Sequence, residues 1–238
     1  MRLIHLGANT KSTKIYILNR SRLFSIEPIG IGTWCCESLS SYLKRIAQAH
    51  QVTVSNLLNK VLLPESNCRI KHIHPLWRSS LHSINGSSDL AEVFVNLLEN
   101  ATSRNLSYLT LLPLDSIIGR TGRGVLSQQL KVCLFCLYEF SKHQIPFIPL
   151  IWWLKSIESC PVHRTQLISR CKTCHSKLKA ISNQVPIAFC DKCGFSFAEK
   201  PPEFSQDRLI TRTTSDYVYG YLFSDCLLTD SINLRKEP

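Results

Sequence analysis

Four pairs of potential metal ligands, each separated by two residues, dominate the second half of this chain: Cys133 and Cys136, Cys160 and His163, Cys171 and Cys174, Cys190 and Cys193. A tight turn across that spacing lets both side chains occupy two corners of one tetrahedron, with backbone amides facing the thiolates. Two pairs complete one site, so four pairs imply two. Each then has four protein ligands and no position left for water, which is the pattern of structural zinc rather than of catalytic zinc. In finger peptides such a site contributes about 10 kcal/mol or more to folding.

Three pairings are possible. Sequential pairing joins Cys133, Cys136, Cys160 and His163 in one site and Cys171, Cys174, Cys190 and Cys193 in the other, while a cross-brace joins the first pair with the third. The fifteen residues between Cys174 and Cys190 match the usual ribbon spacing, and the twenty-three between Cys136 and Cys160 are more. Sequential pairing closes shorter loops and is favoured, although loop entropy grows too slowly with length to exclude the cross-brace. His175 follows Cys174 directly and points elsewhere on the turn, as a surface or supporting residue. Trp152 and Trp153, between the halves of the first sequential site, are expected to pack against it. Cys35, Cys36, Cys68 and Cys226 have no partner at metal spacing and read as small buried hydrophobes; Cys68, His72 and His74 lack a second ligand pair.

Eleven cysteines in a small secreted chain would suggest disulfides, but the first twenty residues show no apolar run of signal-peptide length. The most apolar stretch, Ile145 to Leu154, is too short to span a bilayer and contains Pro146 and Pro149. The expectation is a cytoplasmic protein with no membrane partner. The formal charge is +11, and two zinc sites with seven thiolates would reduce it to about +8. Residues 1–60 carry eight Lys/Arg against two acids and residues 131–200 ten against four, whereas 201–238 carry four against six. Between His163 and Ala180, Arg164, Arg170, Lys172, Lys177 and Lys179 occur with no acid. They form the best candidate patch for a phosphate backbone or an acidic partner.

In the first half, Leu39, Tyr42, Leu43, Ile46 and Ala47 recur at helical spacing behind Ser38, a plausible N-cap. After "QVT", Val54, Leu57, Leu58, Val61 and Leu62 form a second apolar face, with Thr53 as cap and Pro64 as stop. Two short helices joined by a tight turn make a helix-turn-helix candidate over about residues 37–63, with Lys44, Arg45, Asn56 and Lys60 available for nucleic-acid contact. A looser copy runs from Leu90, Val93, Phe94, Leu97 and Leu98 to Leu106 and Leu109. "GRTGRG" at Gly119 to Gly124 lacks the Gly-Lys-Ser/Thr ending of a nucleotide-binding loop. It marks a domain boundary and offers Arg120 and Arg123 to phosphate. The fold expected is mainly α with small zinc-ribbon β elements: a helical domain over 1–125, tandem zinc modules over 126–200, and a tail or docking helix over 201–238.

The segment "ESLSSYLKRIAQAH" with its following helix, and the series "VCLFC…IWWLKSIESCPVH…CKTC…CDKCG", resemble the TniQ family of target-selection subunits of bacterial DNA transposons. The resemblance covers roughly Glu37 to Gly194 and is weakest between Pro64 and Val125. Leu134 departs from it, standing where members often have proline. The resemblance assigns the eight paired residues as ligands of two zinc ions. It implies a non-catalytic adaptor that marks the target site and recruits a AAA+ ATPase regulator of the TnsC type, which brings the transposase. Larger TnsD-like members read DNA themselves; shorter ones associate with a CRISPR effector complex and its guide RNA. With 45 residues after Cys193, the shorter, effector-associated type is the expectation and the direct DNA reader the alternative. A zinc hydrolase or nuclease would need an open metal position and a general base, neither of which is evident.

Overall fold

The computed structural model describes residues 21–64, 81–120, 124–143, 145–179, 181 and 186–199. Helix α1, Leu39–Ala49, is the central element, buried on most of its circumference from Leu39 through Ala47. Gln51 takes a left-handed conformation (φ 54°) after it, and the Val52 amide donates back to the Ala47 carbonyl at 3.0 Å. Helix α2, Val54–Asn56, starts at the predicted cap: the Thr53 hydroxyl accepts from the Asn56 amide at 3.1 Å. It then widens into a π-helical turn, Leu57–Leu62. Leu57, Leu58 and Leu62 are buried, and Asn56, Asn59 and Lys60 lie on the exposed side.

Helix α3, Asp89–Thr102, buries Ala91, Phe94, Val95, Leu98 and Ala101. No second helix answers it. Leu106 and Leu109 are fully buried, but the chain there makes only a 3-10 turn, Ser107–Leu109, so the loose likeness to the first helical hairpin does not extend to a second helix. A 3-10 turn, Leu112–Leu114, leads to the short α4, Asp115–Ile118, and α5 spans Leu134–His143.

Two buried clusters organise the described residues. One gathers α1, the π turn, α3, Leu106 and Leu109, and also takes in Ile181 from the cysteine-rich region. The other begins at Leu111 and Leu114 and surrounds Trp152, Trp153 and most of the paired cysteines. Backbone hydrogen bonds tie them: the Ser38 amide donates to the Ile148 carbonyl at 2.9 Å and the Leu150 amide to the Cys36 carbonyl at 2.7 Å. Ser38 has the extended conformation of an N-cap but does not cap α1. Its hydroxyl donates instead to the Ile148 carbonyl at 2.9 Å.

Among the described residues, β pairing consists of isolated antiparallel bridges, and the ribbon strands expected around the metal ligands are not formed. Nor is any helix there long and apolar enough to cross a membrane.

Candidate metal centres

Three of the four ligand pairs are built to one template. In each, the first ligand's amide donates to the carbonyl five residues on: Cys160 to Thr165 (2.8 Å), Cys171 to Ser176 (2.9 Å) and Cys190 to Phe195 (2.8 Å). The first ligand's carbonyl accepts from the residue after the second ligand, namely Arg164 (2.8 Å), His175 (3.0 Å) and Gly194 (2.9 Å). Those three residues all lie in the left-handed region, at φ 52°, 55° and 73°. One bridge closes each turn: Ser159 with Gln166, Arg170 with Lys177, Phe189 with Ser196. Seven residues after the first ligand comes a buried anchor, Leu167, Leu178 or Phe197. His175 therefore occupies the left-handed turn position that glycine fills in the third copy, and it is exposed.

The fourth pair differs. Cys133 immediately precedes α5, where its carbonyl accepts from the Leu137 amide at 3.1 Å, and Cys136 lies in the first turn. The positive end of a helix dipole favours a thiolate at such a position.

The structure brings together Cys133, Cys136, Cys160 and His163 in one cluster and Cys171, Cys174, Cys190 and Cys193 in another, each with its ligand atoms within 4.8 Å of one another. The grouping is thus sequential, not cross-braced. In the first, Cys136 Sγ is 3.5 Å from Cys160 Sγ. His163 Nδ1 is 3.7, 3.3 and 3.6 Å from the sulfurs of Cys133, Cys136 and Cys160. In the second, Cys171 to Cys193 and Cys174 to Cys190 both measure 3.7 Å. A tetrahedral ion with bonds of about 2.3 Å to sulfur and about 2.0 Å to nitrogen separates its ligands by roughly 3.5 to 3.8 Å. The donor sets and their spacings therefore fit a tetrahedral, thiophilic metal ion, and these short distances are edges of ligand tetrahedra.

The ligand thiols perturb one another: the neighbouring Cys136, then Cys160, draw Cys133 below the ordinary thiol range, while Cys133 and Cys160 push Cys136 upward, so the group shares protons rather than titrating singly. The Ser176 hydroxyl lies 3.0 Å from Cys174 Sγ and lowers that thiol too. Thr165 stands 3.7 Å from Cys133 Sγ. The Lys131 ammonium donates to the Leu154 carbonyl at 2.7 Å and to that of Ile157, pinning the loop that delivers Cys160. The first cluster is buried except at His163, whereas in the second Cys193 is exposed.

Trp152 and Trp153 are completely buried in the core around the first cluster, as expected, and neither indole N–H has a hydrogen-bond partner among the described residues. Cys36 is buried and Cys35 half-buried; burial pushes both thiols up to about 12. Cys68, His72, His74 and Cys226 lie outside the described residues.

The candidate contact residues fare unevenly. Arg45 is not a surface group: it is 8% exposed, and its guanidinium meets the buried Glu37 carboxylate at 2.5 Å. Helical periodicity marks apolar faces and so misses a cation paired inside one. Lys44 is also withdrawn, and burial brings its amine down to about 8 against an opposing pull from Asp191. Arg120 already meets Asp89 at 3.3 Å, Glu92 at 2.6 Å and Asp115 at 3.9 Å, an acidic setting ill suited to phosphate. Arg123 lies outside the described residues. Lys179 pairs with Asp191 at 2.6 Å. Asn56, Lys60, Arg170, Lys172 and Lys177 are exposed and Arg164 half-exposed.

A model of the TniQ family matches residues 28–167, more than half of the chain. The chain belongs to the TniQ family. No curated protein matches it. The family match holds the whole first cluster and both sides of the tie at Ser38 and Ile148, while the second cluster lies beyond its end. Family membership implies a part in transposon target-site selection, among accessory factors of transposition that are generally non-catalytic.

Proposed function

We propose that this TniQ protein is a zinc-stabilised, non-catalytic adaptor that links an RNA-guided CRISPR effector complex to a AAA+ regulator of the TnsC type at the target DNA, and so recruits the transposase. The observation that carries the adaptor reading is that each cluster supplies four protein ligands. Zinc held by four protein ligands supplies rigidity and leaves no coordination position for substrate. The eight ligands are Cys133, Cys136, Cys160 and His163, and Cys171, Cys174, Cys190 and Cys193.

Nucleic acid is contacted through the second module. Arg170 and Lys177 face each other across an antiparallel bridge, both exposed. Like charges directly opposed are destabilising, and a phosphate between them relieves the repulsion. Lys172, on the turn they enclose, and Arg164 add to the same basic segment.

The alternative, a TnsD-like reader using α2 in a major groove, is less well supported. A regular helix lasts only from Val54 to Asn56 before the π turn, and its exposed polar groups are few. Co-purification with the effector components and the ATPase, with and without target DNA, tests the assignment. Association with both supports it; association with neither, together with preference for one duplex sequence at physiological salt, establishes the alternative.

A further inference from the structure

The imidazole of His163 is held from three directions. Its Nδ1 faces the three sulfurs of the first cluster, at 3.3 to 3.7 Å. Its Nε2 lies 3.1 Å from Glu139 Oε1. The Phe135 ring stacks on it with centroids 5.4 Å apart and an interplanar angle of 24°.

An imidazole that gives the Nδ1 lone pair to a metal carries its proton on Nε2, and that N–H needs an acceptor. His163 is only 13% exposed, so water has limited access. Glu139 stands three residues after Cys136 on α5, which places both on one helical face. Phe135, next to Cys136, fixes the plane of the ring; Glu139 fixes its rotation within that plane.

We infer that Glu139 is the positioning residue of the first cluster, holding His163 in the Nε2–H tautomer that presents Nδ1 to the metal. This rests on the metal-site reading of that cluster. The Glu139 side chain is 55% exposed, so its replacement should leave the fold intact while loosening the metal.

The experiment uses the full chain loaded with Zn2+, with metal transfer to a chelating dye followed over time and the His163 tautomer read by long-range 1H–15N NMR. Glu139→Leu should accelerate one component of metal release about 10- to 100-fold, the usual effect of losing a carboxylate behind a ligand histidine. Glu139→Gln, whose amide oxygen still accepts, should fall between Leu and wild type. Lys142→Ala, an exposed change on the same helix, should match wild type. Unchanged release and an unchanged tautomer in Glu139→Leu, or Gln no better than Leu, overturns the inference while leaving the metal site standing. A wild-type chain that binds no metal through His163 overturns both.

Discussion

Glu37 and Arg45 form an ion pair at 2.5 Å within the core that surrounds α1. The Glu37 carboxylate, fully buried, also accepts from the Ser41 hydroxyl at 2.8 Å and the Ile29 amide at 3.3 Å. The Arg45 guanidinium reaches the Glu27 carbonyl at 3.3 Å. The pair thereby fastens the irregular segment before α1 to the helix itself.

Removing one partner strands the other charge out of water. Glu37→Ala should lower stability by about 3 to 5 kcal/mol, while the double change Glu37→Leu with Arg45→Met should lose markedly less. Urea midpoints of the three proteins, all zinc-loaded, check this.

Lys44 gives the chain a pH dependence of definite sign. Burial brings its amine from 10.5 to about 8, so between those values the unfolded chain holds a proton that the folded chain has lost. The contribution is fully present above the unfolded value and disappears as pH falls through 8, which makes stability rise with pH by up to about 3 kcal/mol across the interval. Lys44→Met should abolish that rise, measured by urea unfolding at pH 7.5 and 9.5.

The repeated turns predict opposite effects for two substitutions at one structural position. Gly194→Ala should destabilise by about 1 kcal/mol, through φ 73° alone, because a Cβ there meets nothing within 4 Å. His175→Gly should stabilise by a similar amount, since φ 55° strains an L-residue. Thermal melts of the zinc-loaded proteins separate the two.

Loss of the first cluster should release its tryptophans. Cys160→Ser removes a buried ligand beside the core that encloses Trp152 and Trp153. A structural zinc contributes about 10 kcal/mol or more in finger peptides, comparable with the whole stability of a domain. The expected result is red-shifted tryptophan emission without chelator, equal to that of wild type after chelation.

The ligand pairs were legible in the sequence because the chemistry that joins Cys160 to His163 is local, as is the hydroxyl of Thr53 capping α2. What spacing concealed was the geometry around them. A metal closes each turn so tightly that one bridge suffices, as at Arg170 and Lys177, and no ribbon strand is needed. Ser38 looked like a cap, but its partner is 110 residues away at Ile148. Arg45 looked like a surface cation, but its partner sits in an irregular stretch without periodicity. Glu139 carried a readable signal, three residues after a ligand on one helix, that becomes meaningful only once His163 is placed above it.

The backbone tie of Cys36 and Ser38 to Ile148 and Leu150 also sets how this protein can be cut. Neither a fragment ending at the glycine-rich loop nor one beginning there contains both halves of that seam. Each would carry unpaired amides and carbonyls where the other belongs. A fragment that keeps this seam whole runs unbroken from before Ile29 to beyond the first metal cluster, across the glycine-rich loop.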